Sequence, residues 1–244
     1  MSATPVRLLS YNIRKARGAD FRRAPARILE VINQSGADIV LLQEADLRLG
    51  DRPTALPRDM IAAETDLHVA PLAGMPESLG WHGNALLLRR ELYVSRSRRL
   101  HLPGLEPRGA ILSEVATPSG LLTVIGVHLA LLRPWRRRQI AAILGQLSEA
   151  QTRRSVIAGD FNEWSLQRGL EGLEATHRVY RPGKTFPARR PVASLDRVAL
   201  GRDLSLVAGG VVSSSLARTG SDHLPVWADI ATKLRQPNTG DAPL

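Results

Sequence analysis

Short apolar runs, several of them rich in β-branched residues, recur along this chain and constrain its fold more than any other feature. Such runs predict buried β-strands. Two further segments, 25–34 and 134–150, begin with Pro and carry apolar residues three and four apart, which predicts helices. Many strands with few helices imply a layered α/β or α+β domain. The predicted strands cover residues 6–10, 39–43, 85–88, 110–115, 121–127, 156–159, 195–200, 204–212 and 226–230.

The 244 residues are enough to bury a substantial core, and no linker-like segment divides them. We therefore expect one domain over residues 1–234. The tail 235–244 has no apolar pattern and is predicted to be disordered. No apolar run approaches the roughly 20 residues needed to cross a bilayer, and no secretory signal is evident. The absence of cysteine is compatible with a reducing compartment, and we expect a cytoplasmic location. We also expect a monomer.

The chain is strongly basic, with 33 Lys and Arg against 23 Asp and Glu and a net charge of +10. A basic surface attracts polyanions such as nucleic acid, anionic lipid or phosphorylated small molecules. Nearly all of this charge is arginine, and an arginine bias in the source genome explains it equally well. The charge is therefore compatible with an anionic substrate but does not identify one.

Polar side chains follow several of the apolar runs, where the predicted strands end. Taken singly, each is better explained as a turn or cap residue. Together they form a set of carboxylates, amides and histidines at strand ends, where rigid scaffolds hold functional groups. The set consists of Asn12, Glu44, His128, Asp160, Asn162, Asp196, Asp222 and His223.

This set has a chemical logic. Carboxylate oxygens without thiolates suit a hard cation such as Mg²⁺ or Mn²⁺. A histidine can act as a general acid or base, and an aspartate can orient it through its ring N–H. On an extended backbone Asp160 and Asn162 would face the same side, with Phe161 turned into the core. These residue types together favour a hydrolase of phosphate esters.

The stretches "SYNI", "LLQE", "GVHL", "GDFN", "SLDRV" and "SDHLPV" occur in the order typical of the endonuclease/exonuclease/phosphatase superfamily. The resemblance spans residues 6–230 and is closest to the small bacterial metal-dependent hydrolases. It implies a four-layer α/β/β/α sandwich, in which two mixed, mostly antiparallel sheets pack face to face with helices outside. It also implies metal-dependent cleavage of a phosphoester by an activated water.

The resemblance also implies roles around a metal. Glu44 would bind Mg²⁺ or Mn²⁺, with Asn12 beside it, and Asp222 would be a further ligand of the metal or its water. Asp160 would position or deprotonate the attacking water.

Other roles concern the phosphate. Asn162 would hold a phosphate oxygen, and His223, oriented by Asp196, would contact the scissile phosphate. His128 matches a histidine placed near the leaving group in the DNase, sphingomyelinase and inositol phosphatase branches. Arg108 resembles a basic residue that often lies near the phosphate; a turn arginine is the alternative.

The sequence leaves the roles of several further residues open. Asn84 would support the site or serve a turn, and His82 is expected in a surface loop. Arg89 stands where relatives more often have a small hydroxyl residue. The residues Lys184, Arg189 and Arg190 would meet an anionic substrate or lie in a solvated loop, and Arg136, Arg137 and Arg138 are expected to form a solvated first helical turn.

Three functions fit the sequence. Nucleic acid as substrate is slightly favoured by the charge, and the alternative is a phospholipid or phosphorylated headgroup. A non-catalytic scaffold is disfavoured, because every expected polar position is filled. Aromatic residues make up only 4% of the chain, and no basic and aromatic residues interleave as a stacking platform would require.

Overall fold

The structure is a computed structural model that describes residues 4–47 and 50–233. It contains two six-stranded sheets. The strands are β1 (Val6–Asn12), β2 (Ile39–Gln43), β3 (Leu67–Val69), β4 (Ala85–Arg89), β5 (Tyr93–His101), β6 (Gly109–Thr117), β7 (Gly120–His128), β8 (Ser155–Asp160), β9 (His177–Tyr180), β10 (Asp196–Gly201), β11 (Leu204–Val211) and β12 (Val226–Thr232). The α-helices are α1 (Pro25–Ser35), α2 (Arg58–Glu64), α3 (Arg133–Leu144), α4 (Glu149–Arg153), α5 (Glu171–Glu174) and α6 (Ser215–Gly220), with a 3₁₀ turn at Arg14–Ala16.

Both sheets are mixed and mostly antiparallel. The first has the order β11-β12-β1-β2-β4-β3 and the second β5-β6-β7-β8-β10-β9. One pair in each sheet is parallel, β1 with β2 and β7 with β8. The carboxyl ends of a parallel pair lie at the same edge of the sheet. Each sheet therefore presents two strand ends side by side.

Successive side chains along each strand point to opposite faces of its sheet, and this alternation creates the layers. Leu8 of β1 and Val156 of β8 lie in the core between the two sheets. Their sequence neighbours point outward, Leu9 to the layer with α1 and Ile157 to the layer with α3. The predicted four-layer α/β/β/α sandwich is confirmed. No α-helix in the described residues has the length and apolar character that a bilayer crossing requires.

The structure differs from the sequence-based prediction in several elements. The predicted helix 134–150 is in fact two helices. The first, α3, ends at Leu144. A capping box formed by Ser148 and Gln151 then starts α4. Strands β3, β5 and β9 and the shorter helices α2, α5 and α6 were not predicted. The exposed edge strand β5 carries three arginines, so its sequence lacks the alternation of apolar and polar residues that predicts a strand. The predicted disordered tail lies outside the described residues, and the domain boundary at 234 stays a prediction.

A buried histidine makes the stability of this fold depend on pH. His177 Nε2 lies 2.7 Å from Ser155 Oγ, and its Nδ1 lies 2.8 Å from Thr176 Oγ1. Burial lowers the pKa of His177 from 6.5 to about 4. The unfolded chain therefore binds one more proton than the folded chain between these two pH values. The free energy of unfolding should fall as the pH falls through this window.

We expect His177→Gln to remove this dependence. Between about pH 7 and pH 4.5, the loss of unfolding free energy should be smaller in the variant than in the wild type by about 2 kcal/mol. Urea denaturation at the two pH values measures it. His68→Gln, at an exposed position of β3, is the matched control. An identical pH dependence in the wild type and His177→Gln would contradict the assignment.

Candidate active site

The site lies at the end of the core between the two sheets, where strands β1 and β8 end. Asn12 ends β1 in phase with the inward-facing Leu8, and Asp160 ends β8 in phase with Val156. Both side chains therefore face the opposite sheet, and Asn12 Nδ2 donates a hydrogen bond to Asp160 Oδ2 at 3.1 Å. The same alternation that fills the core thus delivers polar groups at its end.

Strand register adds two neighbours to Asp160. His128, the last residue of β7, stands opposite Asp160 in the parallel pair with β8. Asp196, the first residue of β10, stands opposite Asp160 in the antiparallel pair on the other side. The His128 Nε2 atom lies 3.4 Å from Asp160 Oδ2. These three buried side chains are held by backbone pairing and not by a loop.

His223 reaches the same point from the loop before β12. Ser221 fixes this loop by donating its hydroxyl to the backbone oxygen of Asn12 at 2.7 Å. His223 Nδ1 lies 2.9 Å from Asp196 Oδ2, and its Nε2 lies 3.7 Å from Asp160 Oδ2. We call Asn12, His128, Asp160, Asp196 and His223 the carboxylate–histidine cluster.

The cluster holds a positive charge on His223. Burial alone lowers the pKa of His223, but the charges of Asp196 and Asp160 outweigh it and raise the pKa to about 10. The ring is therefore an imidazolium at neutral pH. With Nδ1–H donated to Asp196, Nε2–H points toward the side of the cluster where Asp160 lies. His223 can therefore donate a hydrogen bond to a reacting molecule, and Asp160 can accept one from it.

The two-residue spacing predicted that Asn162 lies on an extended backbone, and this prediction was wrong. The strand ends at Asp160, and Asn162 adopts a left-handed φ of 50°, which asparagine tolerates better than most residues. Its backbone N–H donates to Asp160 Oδ1 at 2.9 Å, and its Nδ2 donates to the Leu129 oxygen at 2.9 Å. Phe161 is fully buried in the core under α3, as predicted.

The predicted metal ligands lie beside two cations. The 3₁₀ turn brings Lys15 Nζ into contact with Glu44 Oε2 and Arg14 Nε to 3.3 Å from Asp222 Oδ2. The Asn12 amide is engaged at both ends, since its Oδ1 accepts from the backbone N–H of Arg14. Glu44 and Asp222 are thus two carboxylates that each already attract a positive charge.

Three members of the carboxylate–histidine cluster have a geometry that could hold a metal ion. Three ligand atoms, one from each of Asp160, Asp196 and His223, lie within 4.8 Å of one another. Asp196 Oδ1 is buried and has no hydrogen-bond partner among the described residues. The donors of this group, like Glu44 and Asp222, are mainly carboxylate oxygens with no sulfur, and they fit a hard divalent cation.

Arg108 and Asn84 lie close to the site in different ways. Arg108 is mostly buried and donates two hydrogen bonds to Glu106 Oε2, at 2.9 and 2.6 Å, while lining a cavity that also contains Glu44 and His128. Asn84 is buried and donates to the backbone oxygen of Gly109 at 2.9 Å. This bond holds the start of β6, which directly follows Arg108.

One expectation about solvated residues was wrong, that for Arg136. His82 lies in a turn, as expected, where it is half-buried and lines the same cavity as Arg108. Arg136 is only 3% exposed, because it donates to Glu163 Oε2 at 2.6 Å and to the backbone oxygen of Ala130 at 3.0 Å. Arg137 and Arg138 are exposed, as expected. Lys184, Arg189 and Arg190 are also exposed, and no contact of theirs decides between substrate binding and a solvated loop.

The sequence did not reveal the charge network behind Asn162. Glu163 is buried and accepts hydrogen bonds from both Arg133 and Arg136 of α3. Arg197, buried in β10, donates to the backbone oxygens of Glu163 and Ser165. The network ties together the loops that follow β7 and β8. Its only sequence signal is an acid directly after "GDFN" and arginines at a helix start, where the dipole disfavours them.

The family model for the Endonuclease/Exonuclease/phosphatase family matches residues 9–223, which contain the whole carboxylate–histidine cluster. The chain belongs to this family. A curated relative, the uncharacterized protein YbhP of Escherichia coli K12, is 29% identical over 245 residues, covering 92% of this chain and 95% of the relative.

Solved structures of this family share the fold. The mannosyl-6-phosphatase of Bacteroides thetaiotaomicron superposes with a TM-score of 0.73 at 16% identity, covering 93% of this chain and 99% of that chain. The D. rerio TDP2 structure, complexed with a single-strand DNA product, superposes with a TM-score of 0.69 at 14% identity, covering 93% and 99%. At these identities the likeness concerns the fold alone.

Proposed function

We propose that this protein is a metal-dependent phosphodiesterase that cleaves its substrate with an activated water. The observation that carries the proposal is the convergence of Asn12, His128 and His223 on one oxygen, Asp160 Oδ2, at the edge of the two sheets. A carboxylate so placed can accept a proton while adjacent donors stabilise negative charge. Membership of the Endonuclease/Exonuclease/phosphatase family supports the same reaction class.

The cluster divides the reaction between its members. The water oxygen bonds to phosphorus as its proton passes to Asp160 Oδ2. The His223 imidazolium, held by Asp196, donates Nε2–H to a phosphate oxygen, and Asn162 holds another. The P–O bond to the leaving group breaks, and His128 gives the leaving oxygen a proton.

We place the metal at Glu44 and Asp222, with Asn12 beside them. Mg²⁺, or Mn²⁺, would supply positive charge at the phosphoryl oxygens. Lys15 contacts Glu44 and Arg14 contacts Asp222, so both carboxylates already stabilise a positive charge. Arg108 would add positive charge near the phosphate, with Asn84 holding its strand.

Nucleic acid is the substrate that the surface favours. Phe21 is 64% exposed, and its ring lies 5.4 Å from the guanidinium groups of both Arg14 and Arg17. Trp164, two residues after Asn162, is 61% exposed. The sequence alone indicates no such pairing of basic and aromatic residues, but the exposed Phe21 ring between two arginines suits a stacked base of a single strand. A monomeric state and a cytoplasmic location remain predictions.

The test is a screen with Mg²⁺ and with Mn²⁺ across single-stranded DNA, duplex DNA, RNA, phospholipid vesicles and mannose 6-phosphate. We expect nucleic acid to be cleaved, with a rate at subsaturating substrate that falls steeply between about 50 and 200 mM salt. Hydrolysis confined to vesicles would support the phospholipid alternative. Hydrolysis confined to the sugar phosphate would support a phosphatase. Nucleic-acid cleavage that salt does not weaken would contradict recognition by the basic surface.

A further inference from the structure

We propose that a cavity beside the carboxylate–histidine cluster binds a second phosphate group of the substrate, and that Arg52 is the residue that recognises it. The inference rests on the proposed function. We call this space the arginine cavity; it measures about 180 Å³, and its wall includes Lys15, Glu44, Arg52, His82, Arg108 and His128. Since Glu44 and His128 also belong to the proposed site, an occupant of this cavity lies next to the reacting phosphate.

Arg52 brings a positive charge that is not neutralised by an ion pair. Its Nη1 donates to His82 Nδ1 at 3.0 Å, so the ring nitrogen is an acceptor and the imidazole is neutral. Burial and the Arg52 charge lower the pKa of His82, in agreement with this. Within residues 4–47 and 50–233, Arg52 forms no ion pair with a carboxylate, whereas Arg108 is paired with Glu106. Arg52 therefore retains donors for an oxoanion.

The local structure fixes this arginine in place. Arg52 and His82 both adopt left-handed φ values, of 51° and 49°. Such conformations persist only where the surroundings hold them, and they cluster at ligand clamps. The Trp81 ring packs edge-on against His82 at 4.4 Å and against His101 at 4.8 Å. Asp46, which also lines the cavity, accepts from the backbone N–H of Leu79 at 2.7 Å and forms no ion pair with Arg52.

The size of the cavity indicates what it holds. A volume of about 180 Å³ is below the roughly 300–1,000 Å³ of pockets that enclose whole small molecules. It suits one compact group that remains attached to the substrate outside. The substrate class is therefore a phosphoester with a further phosphate one linkage from the bond that breaks. A neighbouring phosphate in a nucleotide chain and a second phosphate on a sugar share this chemistry.

Calorimetric titration in EDTA tests the subsite without catalysis. The probes are thymidine 5′-monophosphate and thymidine 3′,5′-bisphosphate, and a second pair, glucose 6-phosphate and glucose 1,6-bisphosphate, distinguishes a nucleotide from a sugar source. We expect the wild type to bind one bisphosphate about 10-fold or more tightly than its monophosphate. Arg52→Ala should remove this advantage, and Arg52→Lys should keep part of it.

Two further variants sharpen the test. Arg96→Ala removes the same charge from an exposed position of β5 and should keep the full advantage. His82→Asn should weaken it, because asparagine accepts the left-handed backbone but removes the ring that holds Arg52. Equal binding of both members of each pair by the wild type, or an advantage that survives in Arg52→Ala, would overturn the proposal. Failure to hydrolyse any phosphodiester with metal would instead overturn the proposed function and leave this binding result standing.

Discussion

Replacing Asp160 by Asn is expected to lower kcat for bis(p-nitrophenyl) phosphate with Mg²⁺ by about 10³-fold or more. The amide has nearly the same shape but cannot take the proton of the attacking water. It would also turn an acceptor into a possible donor at the oxygen on which Asn12 and His128 converge. Steady-state kinetics measures the loss, and thermal unfolding should show a melting temperature close to that of the wild type.

Asp203→Asn is the matched control for this change. Asp203 forms an exposed ion pair with Arg153 at 2.6 Å and follows the end of β10, whereas Asp196 of the cluster lies at the start of that strand. Its replacement removes the same charge and should leave kcat unchanged within about twofold, since exposed ion pairs contribute little. Full activity in Asp160→Asn, with the protein folded, would contradict the role of Asp160.

Glu163→Gln should destabilise the folded protein by about 3–5 kcal/mol. The carboxylate is buried between Arg133 and Arg136, and Arg136 is buried as well. Burial by itself raises the pKa of Glu163, but the hydrogen bonds from the two arginines outweigh it and lower the pKa to about 2. The ion pair therefore contributes fully above pH 4.5, and its contribution is lost as the pH falls toward 2. Urea denaturation near neutral pH measures the loss.

The same helix provides the control for this network. Glu171 pairs with Arg137 at 3.2 Å, but both side chains are at least half exposed. Glu171→Gln should therefore cost less than about 1 kcal/mol. Adding Arg136→Met to Glu163→Gln should recover part of the lost stability, because no uncompensated charge then remains on Arg136. A cost below about 1 kcal/mol for Glu163→Gln would contradict a structural role for the buried charges.

Residues at strand ends could be found from the sequence because the signal is local. An apolar run followed at once by Asp160 or His128 marks both the strand and the polar group it presents. The parallel register that sets these two residues opposite each other is not local. It depends on pairing across the sheet, which periodicity within one strand does not specify.

Residues whose environment comes from distant parts of the chain were missed for the same reason. The sequence predicts a solvated Arg136, because charged residues at a helix start usually are solvated, and its partner Glu163 lies 27 residues away. Arg52 and His82 are separated by 30 residues. The Phe186 ring, 4.9 Å from that of His223, comes from a loop in which the sequence signals only basic residues.

The central claim is that the carboxylate–histidine cluster hydrolyses phosphodiesters with the help of a divalent cation. The most direct measurement is the initial rate of bis(p-nitrophenyl) phosphate hydrolysis by the wild type with Mg²⁺, after EDTA, and after Mn²⁺ is added back, beside Asp160→Asn under the same conditions. We predict activity that EDTA abolishes and added metal restores in the wild type, and none in the variant. Hydrolysis that persists in EDTA, or that Asp160→Asn retains, would contradict the claim.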